Sequence, residues 1–371
     1  MPETSSGVNG YFSNTVFYQL VRIFVVISEH IEYNNAQEDF QSNANQRIIM
    51  SKSKRSGMTV ASLFCGAGGM DIGFEQAGFD VVWATDHNKD ACETHGWWSE
   101  AEIVCSDVED LKPSSMPDTD VIIGGFPCQG FSLAGNRDLD DSRNILYRHL
   151  VRCIGVKQPR AFVAENVPGL ATIGGSSRAF KMILRDFENQ GYDVTSGILD
   201  ASRLGVPQER KRLIIVGIRK DIGREPTLPA HDNTVATMRD ALWGMADPNS
   251  DDVFRGSFSS QFMSRNRWRG WDLPSYTVIA KPDKAPLHPS SPPMIQVSQE
   301  KWKFGKGDTR RVSWVEASLL QTFPKDMRFA GGLSSRYRQV GNAVPCAMAR
   351  KIASNLLVDL NGKNLKASIF D

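Results

Sequence analysis

Short apolar runs recur through the middle of the chain and alternate with segments of helical periodicity. Each run has the length of a buried strand, and the intervening segments space apolar residues so that they share one helix face. Strands that alternate with helices form a mostly parallel sheet with helices on both faces, so the sequence predicts an α/β fold. The runs lie at residues 60–64, 81–83, 121–123, 161–164 and 213–218. Helix faces are marked by Leu146, Leu150, Val151 and Ile154, and by Phe180, Ile183, Leu184 and Phe187.

This pattern divides the 371 residues into four segments. Residues 1–57 form an extension rich in Asn, Ser and Gln, and residues 58–220 carry the α/β pattern. Residues 221–337 are dominated by Pro, Gly, Trp and Arg, which predicts a smaller irregular domain. In residues 338–371, apolar side chains recur every fourth position from Val344 onwards, which predicts a helix.

The extension has two interpretations. It is either a poorly ordered leader, with Met50 or Met58 as the true start, or a short helical arm around residues 16–31 that packs on the body or on a partner. Its apolar stretch at residues 16–27 contains Gln19 and Arg22 and is too short to span a membrane. No basic region precedes that stretch, which argues against a signal peptide.

The six cysteines are scattered and include no CxxC pair. This spacing argues against a disulfide framework and against a cysteine zinc site, and no metal site is predicted. Together with the absence of a membrane segment from the sequence pattern, it favours a cytoplasmic protein.

A glycine-rich loop, Phe64-Cys65-Gly66-Ala67-Gly68-Gly69, joins the first strand to a helix. Glycines let the backbone turn sharply and approach a ligand. Asp86 follows Gly66 by twenty residues at the end of the next strand, where an acid typically binds ribose hydroxyls. Asp107 follows the third strand and could accept from an adenine amino group. A tight turn without a ligand explains the glycines alone, but the two acids favour an adenosine-containing cofactor.

A thiol and a carboxylate also follow strands: Cys128 comes after residues 121–125, and Glu165 ends the run that starts at residue 161. A lone cysteine is more often a small buried residue, and a glutamate here could simply cap a helix. The chemistry that uses both groups is attack on an electron-poor ring. A thiolate that adds to carbon 6 of cytosine activates carbon 5, and a carboxyl group can neutralise the charge at nitrogen 3.

With these residues, the chain resembles the DNA (cytosine-5) methyltransferases of bacterial modification systems, in order from Thr59 to Leu357. The resemblance implies a Rossmann-like fold that uses S-adenosylmethionine, with a small target-recognition domain and a C-terminal helix that rejoins the large domain. It rests on residues 64–69, Pro127-Cys128-Gln129, Glu165-Asn166-Val167, Gln208-Glu209-Arg210-Lys211-Arg212, residues 311–324 and Gln339-Val340-Gly341-Asn342-Ala343-Val344.

The resemblance also implies residue roles. Cys128 is the nucleophile and Glu165 the acid at nitrogen 3, while Arg210 holds the base and the Cys128 region, with support from Arg212. Asp86 binds the ribose and Asp107 the adenine. The complete set implied for the cofactor is Phe64, Gly66, Gly68, Gly69, Asp86, His87, Asp107, Val108, Pro127, Leu146, Asn342 and Val344.

The implied substrate is duplex DNA, from which the target base must be flipped to reach the thiol. The whole chain has a net charge of only +1, but residues 255–311 hold eleven Lys and Arg against four Asp and Glu, a local net charge of +7. Arg265, Arg267 and Arg269 alternate with other residues there and could reach phosphates or guanine edges. A solvated basic loop is an equally good explanation for any one of them. Gln129 and Ser132, beside the thiol, complete the predicted DNA contacts.

The predicted enzyme acts as a monomer on DNA, associates with the nucleoid when bound, and has a cognate restriction endonuclease as a genetic partner. Two rivals remain: the same chemistry on transfer RNA, and a catalytically silent DNA-binding paralogue. A nicotinamide-dependent oxidoreductase is disfavoured because GxGxxG is missing.

Overall fold

The computed structural model describes residues 56–127, 146–172 and 176–362. Seven strands in this part of the chain form one sheet, in the order β3-β2-β1-β4-β5-β7-β6. They are β1 (Thr59–Leu63), β2 (Asp80–Asp86), β3 (Glu102–Cys105), β4 (Val121–Gly125), β5 (Ala161–Asn166), β6 (Tyr192–Asp200) and β7 (Lys211–Arg219). The first five strands in the spatial order are parallel, and β7 is antiparallel to both of its neighbours.

Helices cover both faces of the sheet. They are α1 (Gly69–Gln76), α2 (Lys89–Trp98), α3 (Leu146–Lys157), α4 (Gly169–Thr172), α5 (Ser176–Asn189), α6 (Met238–Leu242), α7 (Trp314–Leu320), α8 (Leu333–Asn342) and α9 (Cys346–Leu360). Among the described helices, none is both long enough and apolar enough to cross a membrane.

Alternation along the strands separates two cores. Successive strand residues point to opposite faces, so Val60 and Val121 join α1 and α9 in one apolar cluster. Ala61 and Ile122 join α3 and α5 in the other. This arrangement confirms the predicted α/β fold with a mostly parallel sheet and helices on both faces.

Helix α9 lies directly against α1. A Cβ atom at Gly73 in α1 would stand 2.4 Å from the Cβ of Ala349 and 2.6 Å from the carbonyl oxygen of Cys346. Glycine at this position therefore permits the close approach of the two helices. The predicted C-terminal helix is confirmed, although it begins at Cys346, after Val344.

Each predicted run overlaps a strand, with Phe64 one residue beyond the end of β1, but no run corresponds to β3 or to β6. The sequence of β6, YDVTSGILD, mixes Thr, Ser and Gly with apolar residues, and most of its side chains are only half-buried. A strand at the edge of the sheet packs on one neighbour only and needs no continuous apolar run. The periodicity that marks buried strands therefore does not extend to it.

Residues 221–337 contain little regular structure beyond α6, α7, the first half of α8 and a hairpin of β8 (Ile295–Ser298) and β9 (Lys301–Lys303). One apolar cluster, around Phe262, Leu287 and Met294, belongs to this region alone. A second cluster joins Val278 and other residues of the region to Trp98 of α2. The irregular region is thus tied to the sheet domain through shared apolar packing.

Candidate active site

Four parallel strands end at one edge of the sheet, because β2, β1, β4 and β5 are consecutive neighbours. Residues 64–68 follow β1, and Pro127 stands two residues after β4. Asp86 ends β2, and Glu165 is the penultimate residue of β5. This edge therefore brings together the glycine-rich loop and two carboxylates, at the place where open α/β sheets bind ligands.

The glycine-rich loop turns through three residues with positive φ angles. Phe64, Gly66 and Gly68 have φ angles of 55°, 53° and 87°, in the left-handed region that favours glycine. A Cβ atom at Gly66 would have no described atom within 4 Å, so the loop has an open side there. At Gly68 a Cβ would lie 2.1 Å from the Trp98 ring, so tight packing on the other side requires glycine.

The carboxylate of Asp86 supports this loop. Its Oδ2 accepts a hydrogen bond of 2.9 Å from the Gly66 N–H, and its Oδ1 accepts one of 2.9 Å from the Asn88 N–H. The Asn88 side chain in turn caps α2. His87 is exposed, with Nδ1 3.5 Å from Asp86 Oδ1. Each carboxylate oxygen keeps lone-pair capacity for a further donor.

Two more of the predicted cofactor residues lie in the loop after β3. Asp107 is exposed, and its Oδ1 accepts a hydrogen bond of 3.2 Å from the Glu109 N–H. Val108 is buried in the core beneath α3, and Leu146, the first residue of that helix, packs against the same core.

The C-terminal segment contacts the glycine-rich loop at Gly69. A Cβ atom at Gly69 would lie 2.4 Å from the carbonyl oxygen of Val344, which is buried. Asn342, the last residue of α8, is exposed. Of these two predicted cofactor residues, Val344 therefore contacts the base of the loop, whereas Asn342 faces outwards.

Glu165 forms an ion pair with an arginine from the antiparallel strand. The Arg212 Nε atom lies 2.6 Å from Glu165 Oε1, and Glu165 is only 9% exposed. Because β7 runs against its neighbours, its first residues stand at the same edge as the last residues of β5. Gly125, opposite Glu165 on β4, leaves room for the carboxylate: a Cβ there would lie 3.1 Å from Oε2.

Arg210 is buried among backbone carbonyl groups next to the sheet edge. It is 1% exposed and donates to the carbonyl oxygens of Val278, Gly341 and Ala343 at 2.8, 2.8 and 3.0 Å. Burial lowers the pKa of Arg210 well below its usual value, Arg212 adds to the decrease, and Glu165 opposes it. Arg210 thus holds backbone segments together, and Arg212, predicted only to support it, is the direct partner of Glu165.

Two glutamines extend this buried network, and sequence reasoning gave neither a role. Gln208 Nε2 donates to Gln321 Oε1 at 3.0 Å, and Gln208 Oε1 accepts from the Val278 N–H at 2.8 Å. Gln321 Nε2 donates to the carbonyl oxygen of Val340 at 2.7 Å. The sequence gives little indication of these buried roles, because glutamine is usually exposed.

Asn166 is a third residue without a predicted role. Its Nδ2 donates to the carbonyl oxygen of Phe126 at 2.9 Å, and its Oδ1 accepts from the Val167 N–H at 2.8 Å. Asn166 therefore fixes the backbone just before half-buried Pro127. Its position directly after Glu165 is the only signal that could have indicated it. Cys128, Gln129 and Ser132, which come next, lie outside the described residues.

The three candidate DNA-binding arginines differ in their surroundings. Arg267 donates from Nε to the carbonyl oxygen of Phe262 at 3.3 Å. Arg269 donates to Glu209 Oε2 at 2.7 Å and stacks on Tyr276 with its guanidinium carbon 4.0 Å from the ring centre. Arg265 is exposed and has no hydrogen-bond or ion-pair partner among the described residues. Of the three, Arg265 is the one whose guanidinium is free to meet a ligand.

Known proteins are similar in sequence to this chain along most of its length. The chain is 36% identical over 396 residues to the type II methyltransferase M.BspRI of Lysinibacillus sphaericus, across 94% of this chain and 92% of that protein. It is also 36% identical over 346 residues to the type II methyltransferase M.BsuRI of Bacillus subtilis, across 80% of this chain and 78% of that one. At 94% coverage, the match to M.BspRI extends into residues 1–57.

Solved structures share the fold. The crystal structure of a candidate DNA modification methyltransferase from an E. coli prophage is similar with a TM-score of 0.63 and 25% identity, covering 82% of this chain and 100% of that one. The methyltransferase EhMeth of Entamoeba histolytica gives a TM-score of 0.61 at 17% identity over 84% of this chain and 99% of its own, a likeness of fold alone.

The family model described as C-5 cytosine-specific DNA methylase matches residues 58–357, which include both carboxylates, the glycine-rich loop and the buried arginine network. Members of this family are S-adenosylmethionine-dependent methyltransferases. The chain therefore belongs to the C-5 cytosine-specific DNA methylase family and is a DNA (cytosine-5) methyltransferase of the type II kind.

Proposed function

We propose that the protein transfers a methyl group from S-adenosylmethionine to carbon 5 of a flipped cytosine in one short duplex DNA sequence. The observation that carries this proposal is the position of the Glu165–Arg212 pair at the same sheet edge as the Gly66–Asp86 contact. A cofactor held by the loop and a base held at Glu165 would therefore lie in one cleft.

The residues at the loop fit the cofactor. The open side of Gly66 lets the backbone approach a ligand closely, and the carboxylate of Asp86 is fixed in place by two N–H groups. Asp86 would accept from the ribose hydroxyls, and Asp107, exposed after β3, would accept from the adenine amino group. When bound there, S-adenosylmethionine supplies an electrophilic methyl group.

The chemistry on the base uses a thiolate and an acid. The Cys128 thiolate adds to carbon 6, so that a carbon–sulfur bond forms and the ring electrons shift towards carbon 5 and nitrogen 3. Glu165 donates a proton to nitrogen 3. Carbon 5 would take the methyl group as its bond to the cofactor sulfur breaks, which would leave the cofactor as a neutral thioether. Removal of the carbon 5 proton by a base restores the double bond and expels the thiolate. Arg212 orients Glu165 through its 2.6 Å contact.

The substrate is duplex DNA, and residues 221–337 recognise its sequence. The support is the net charge of +7 on residues 255–311, together with exposed Arg265. The closest biological setting is a type II system, in which the protein protects DNA from a restriction endonuclease of the same specificity or acts as an orphan counterpart. Relatives that are named as type II methyltransferases support this setting.

The test is methyl transfer from labelled S-adenosylmethionine to unmethylated duplex DNA, followed by mapping of 5-methylcytosine at base resolution. We expect one modified cytosine in a short recurring sequence. Cys128→Ala is the matched control and is expected to reduce transfer on the order of 10⁴-fold or more while leaving cofactor binding intact. Near-normal turnover by this variant would contradict the covalent mechanism, and transfer to transfer RNA instead of DNA would contradict the proposed substrate.

A further inference from the structure

A buried acid–histidine pair lies beneath the glycine-rich loop. Asp71, in the first turn of α1, and His95, on α2, are both 0% exposed, and Asp71 Oδ2 lies 3.3 Å from His95 Nε2. The Ser62 hydroxyl donates to the other carboxylate oxygen at 2.8 Å. The proposed transfer uses neither residue. Burying two titratable groups is costly, so their retention under the loop calls for a physical explanation.

The pair is mechanically connected to the loop through Trp98. The His95 and Trp98 rings stack with their centres 4.7 Å apart. Trp98 Nε1 donates to the carbonyl oxygen of Ala67 at 3.2 Å, and the Trp98 ring fills the space beside Gly68. A shift of the His95 ring would therefore displace the ring on which the loop rests.

Hydrogen bonding of the pair depends on one proton. Asp71 Oδ2 and both ring nitrogens of His95 are buried without a hydrogen-bond partner of good geometry among the described residues. Burial raises the pKa of Asp71 to about 7, and burial lowers the pKa of His95 to about 3, whereas the Gly66 backbone raises it. A neutral Asp71 can donate to His95 Nε2, which leaves the ring hydrogen on Nδ1 for the Gly66 backbone.

We propose that Asp71 and His95 are positioning residues for the cofactor: Asp71 donates to His95 Nε2, and the Nδ1–H of His95 supports Gly66 in the conformation that binds S-adenosylmethionine. The position of Gly66 matters for the cofactor because its N–H donates to Asp86 Oδ2 at 2.9 Å and so orients the carboxylate proposed to bind the ribose. This inference rests on the proposed function of the loop.

The proposal gives cofactor binding a pH dependence. When the pH rises through about 7, the pKa of Asp71, the carboxyl group ionises and becomes an acceptor only. The ring hydrogen then moves to Nε2, and Gly66 loses its donor. The other titratable groups that face Asp71 are Asp86, which disfavours its ionisation, and the thiols of Cys65 and Cys346, whose pKa values are raised by burial.

The experiment is calorimetric titration of the full-length protein with S-adenosylmethionine between pH 6 and pH 9. For the wild type we expect the Kd to increase about tenfold above pH 7, the change that loss of one hydrogen bond produces. Asp71→Asn keeps the shape and donates from its amide at every pH, so its Kd should not follow this change. Glu93→Gln, an exposed substitution on the helix of His95, should behave like the wild type.

A pH-independent Kd for the wild type, or the wild-type dependence retained in Asp71→Asn, would overturn the proposal. Nitrogen NMR of the imidazole, assigned with His95→Gln, tests the pair without the cofactor. We expect a neutral ring with its hydrogen on Nδ1 at pH 6, and a charged ring would overturn the assignment. Absence of cofactor binding in every protein would refute the proposed function, and the NMR result would still decide the state of the pair.

Discussion

The sheet edge and the irregular region use their charged side chains differently. At the sheet edge, Asp86 and Glu165 are oriented by a few contacts and keep oxygen atoms for a ligand. In residues 221–337, five arginines donate to neighbouring protein groups, namely Arg239, Arg267, Arg269, Arg310 and Arg311. The count of positive charges therefore overstates the surface that can meet DNA, and exposed Arg265 is a better guide than the net charge.

Arg311 is an example of an arginine that donates to protein groups within the irregular region. It is 2% exposed, stacks on Phe258 with its guanidinium carbon 3.8 Å from the ring centre, and donates to the carbonyl oxygen of Gly256 at 2.9 Å. Loops lack the hydrogen-bond ladder of a sheet, so their buried carbonyl groups need other donors. A guanidinium, with five N–H groups, supplies several at once. The irregular region thus builds its core partly from arginine.

The largest effect is expected at the sheet edge. Glu165→Gln keeps the shape of the side chain but cannot donate the acidic proton, so kcat should fall by about 10²–10⁴-fold. Arg212→Lys keeps the charge but loses the planar guanidinium geometry at Glu165, and a smaller decrease in kcat is expected. Single-turnover methyl transfer measures both variants. Equal kcat values for Glu165→Gln and the wild type would exclude Glu165 as the acid.

Both buried arginines are expected to contribute to the stability of the fold. Arg311→Met removes the donor to the carbonyl oxygens of Phe254, Gly256 and Ser257. Arg210→Met removes the donor to those of Val278 and Gly341, whereas Ala343 keeps a hydrogen bond from Gln321 Nε2. Each change should lower the free energy of unfolding by about 3 kcal/mol or more.

Hydrogen exchange localises these two effects. Arg311→Met should increase exchange mainly within residues 221–337, whereas Arg210→Met should also increase it in α8 and β7. Arg265→Met, at an exposed position, is the control and should change neither. Similar exchange maps for the two buried variants would contradict the difference drawn between the regions.

The sequence predicts the residues at the sheet edge well, because the local pattern of apolar residues shows where each buried strand ends. Apolar runs located β1, β2, β4, β5 and β7, and the residues after them include Glu165 and Asp86. The roles of Arg210 and Arg212 could not be separated in this way, because the register in which β7 pairs with β5 decides which of the two arginines lies beside Glu165. The hydrogen-bond partners of Arg267 and Arg269 could not be predicted either, because both arginines lie in loops without periodicity.

Acid should destabilise the irregular region at the His288–Glu316 pair. His288 is buried beside Glu316, with Nε2 3.4 Å from Oε1, and burial is the main reason that its pKa is lowered to about 4. The pKa of Glu316 is also lowered: burial opposes this, but hydrogen bonds from Arg310 and the charge of His288 outweigh it. Both depressed values imply stability that is complete at neutral pH and is lost on acidification, for His288 between about 6.5 and 4.

His288→Asn removes one of the two groups and should reduce the loss of Tm between pH 7 and pH 5. Thermal unfolding followed by tryptophan fluorescence measures this loss, because Trp268, Trp271 and Trp302 lie in the irregular region. His231→Asn, at an exposed histidine, is the matched control and should retain the full loss. The same pH dependence in His288→Asn and the wild type would show that His288 does not limit acid stability.

The smallest effect is expected for the substitution of single arginines on the affinity for DNA. Exposed Arg265 and internally bonded Arg267 should differ in this effect. Arg265→Ala removes a free guanidinium, so the affinity for DNA should fall and the salt dependence of log K should decrease by about 0.9 if one phosphate contact is lost, without a change in Tm. Arg267→Ala removes the donor to the carbonyl oxygen of Phe262 and the contact with its ring, so Tm should fall while the salt slope is retained. Binding isotherms at several salt concentrations test this contrast. If Arg267→Ala lowered the slope and Arg265→Ala did not, the DNA contact would belong to half-buried Arg267, and exposure would be a poor guide to recognition in this region.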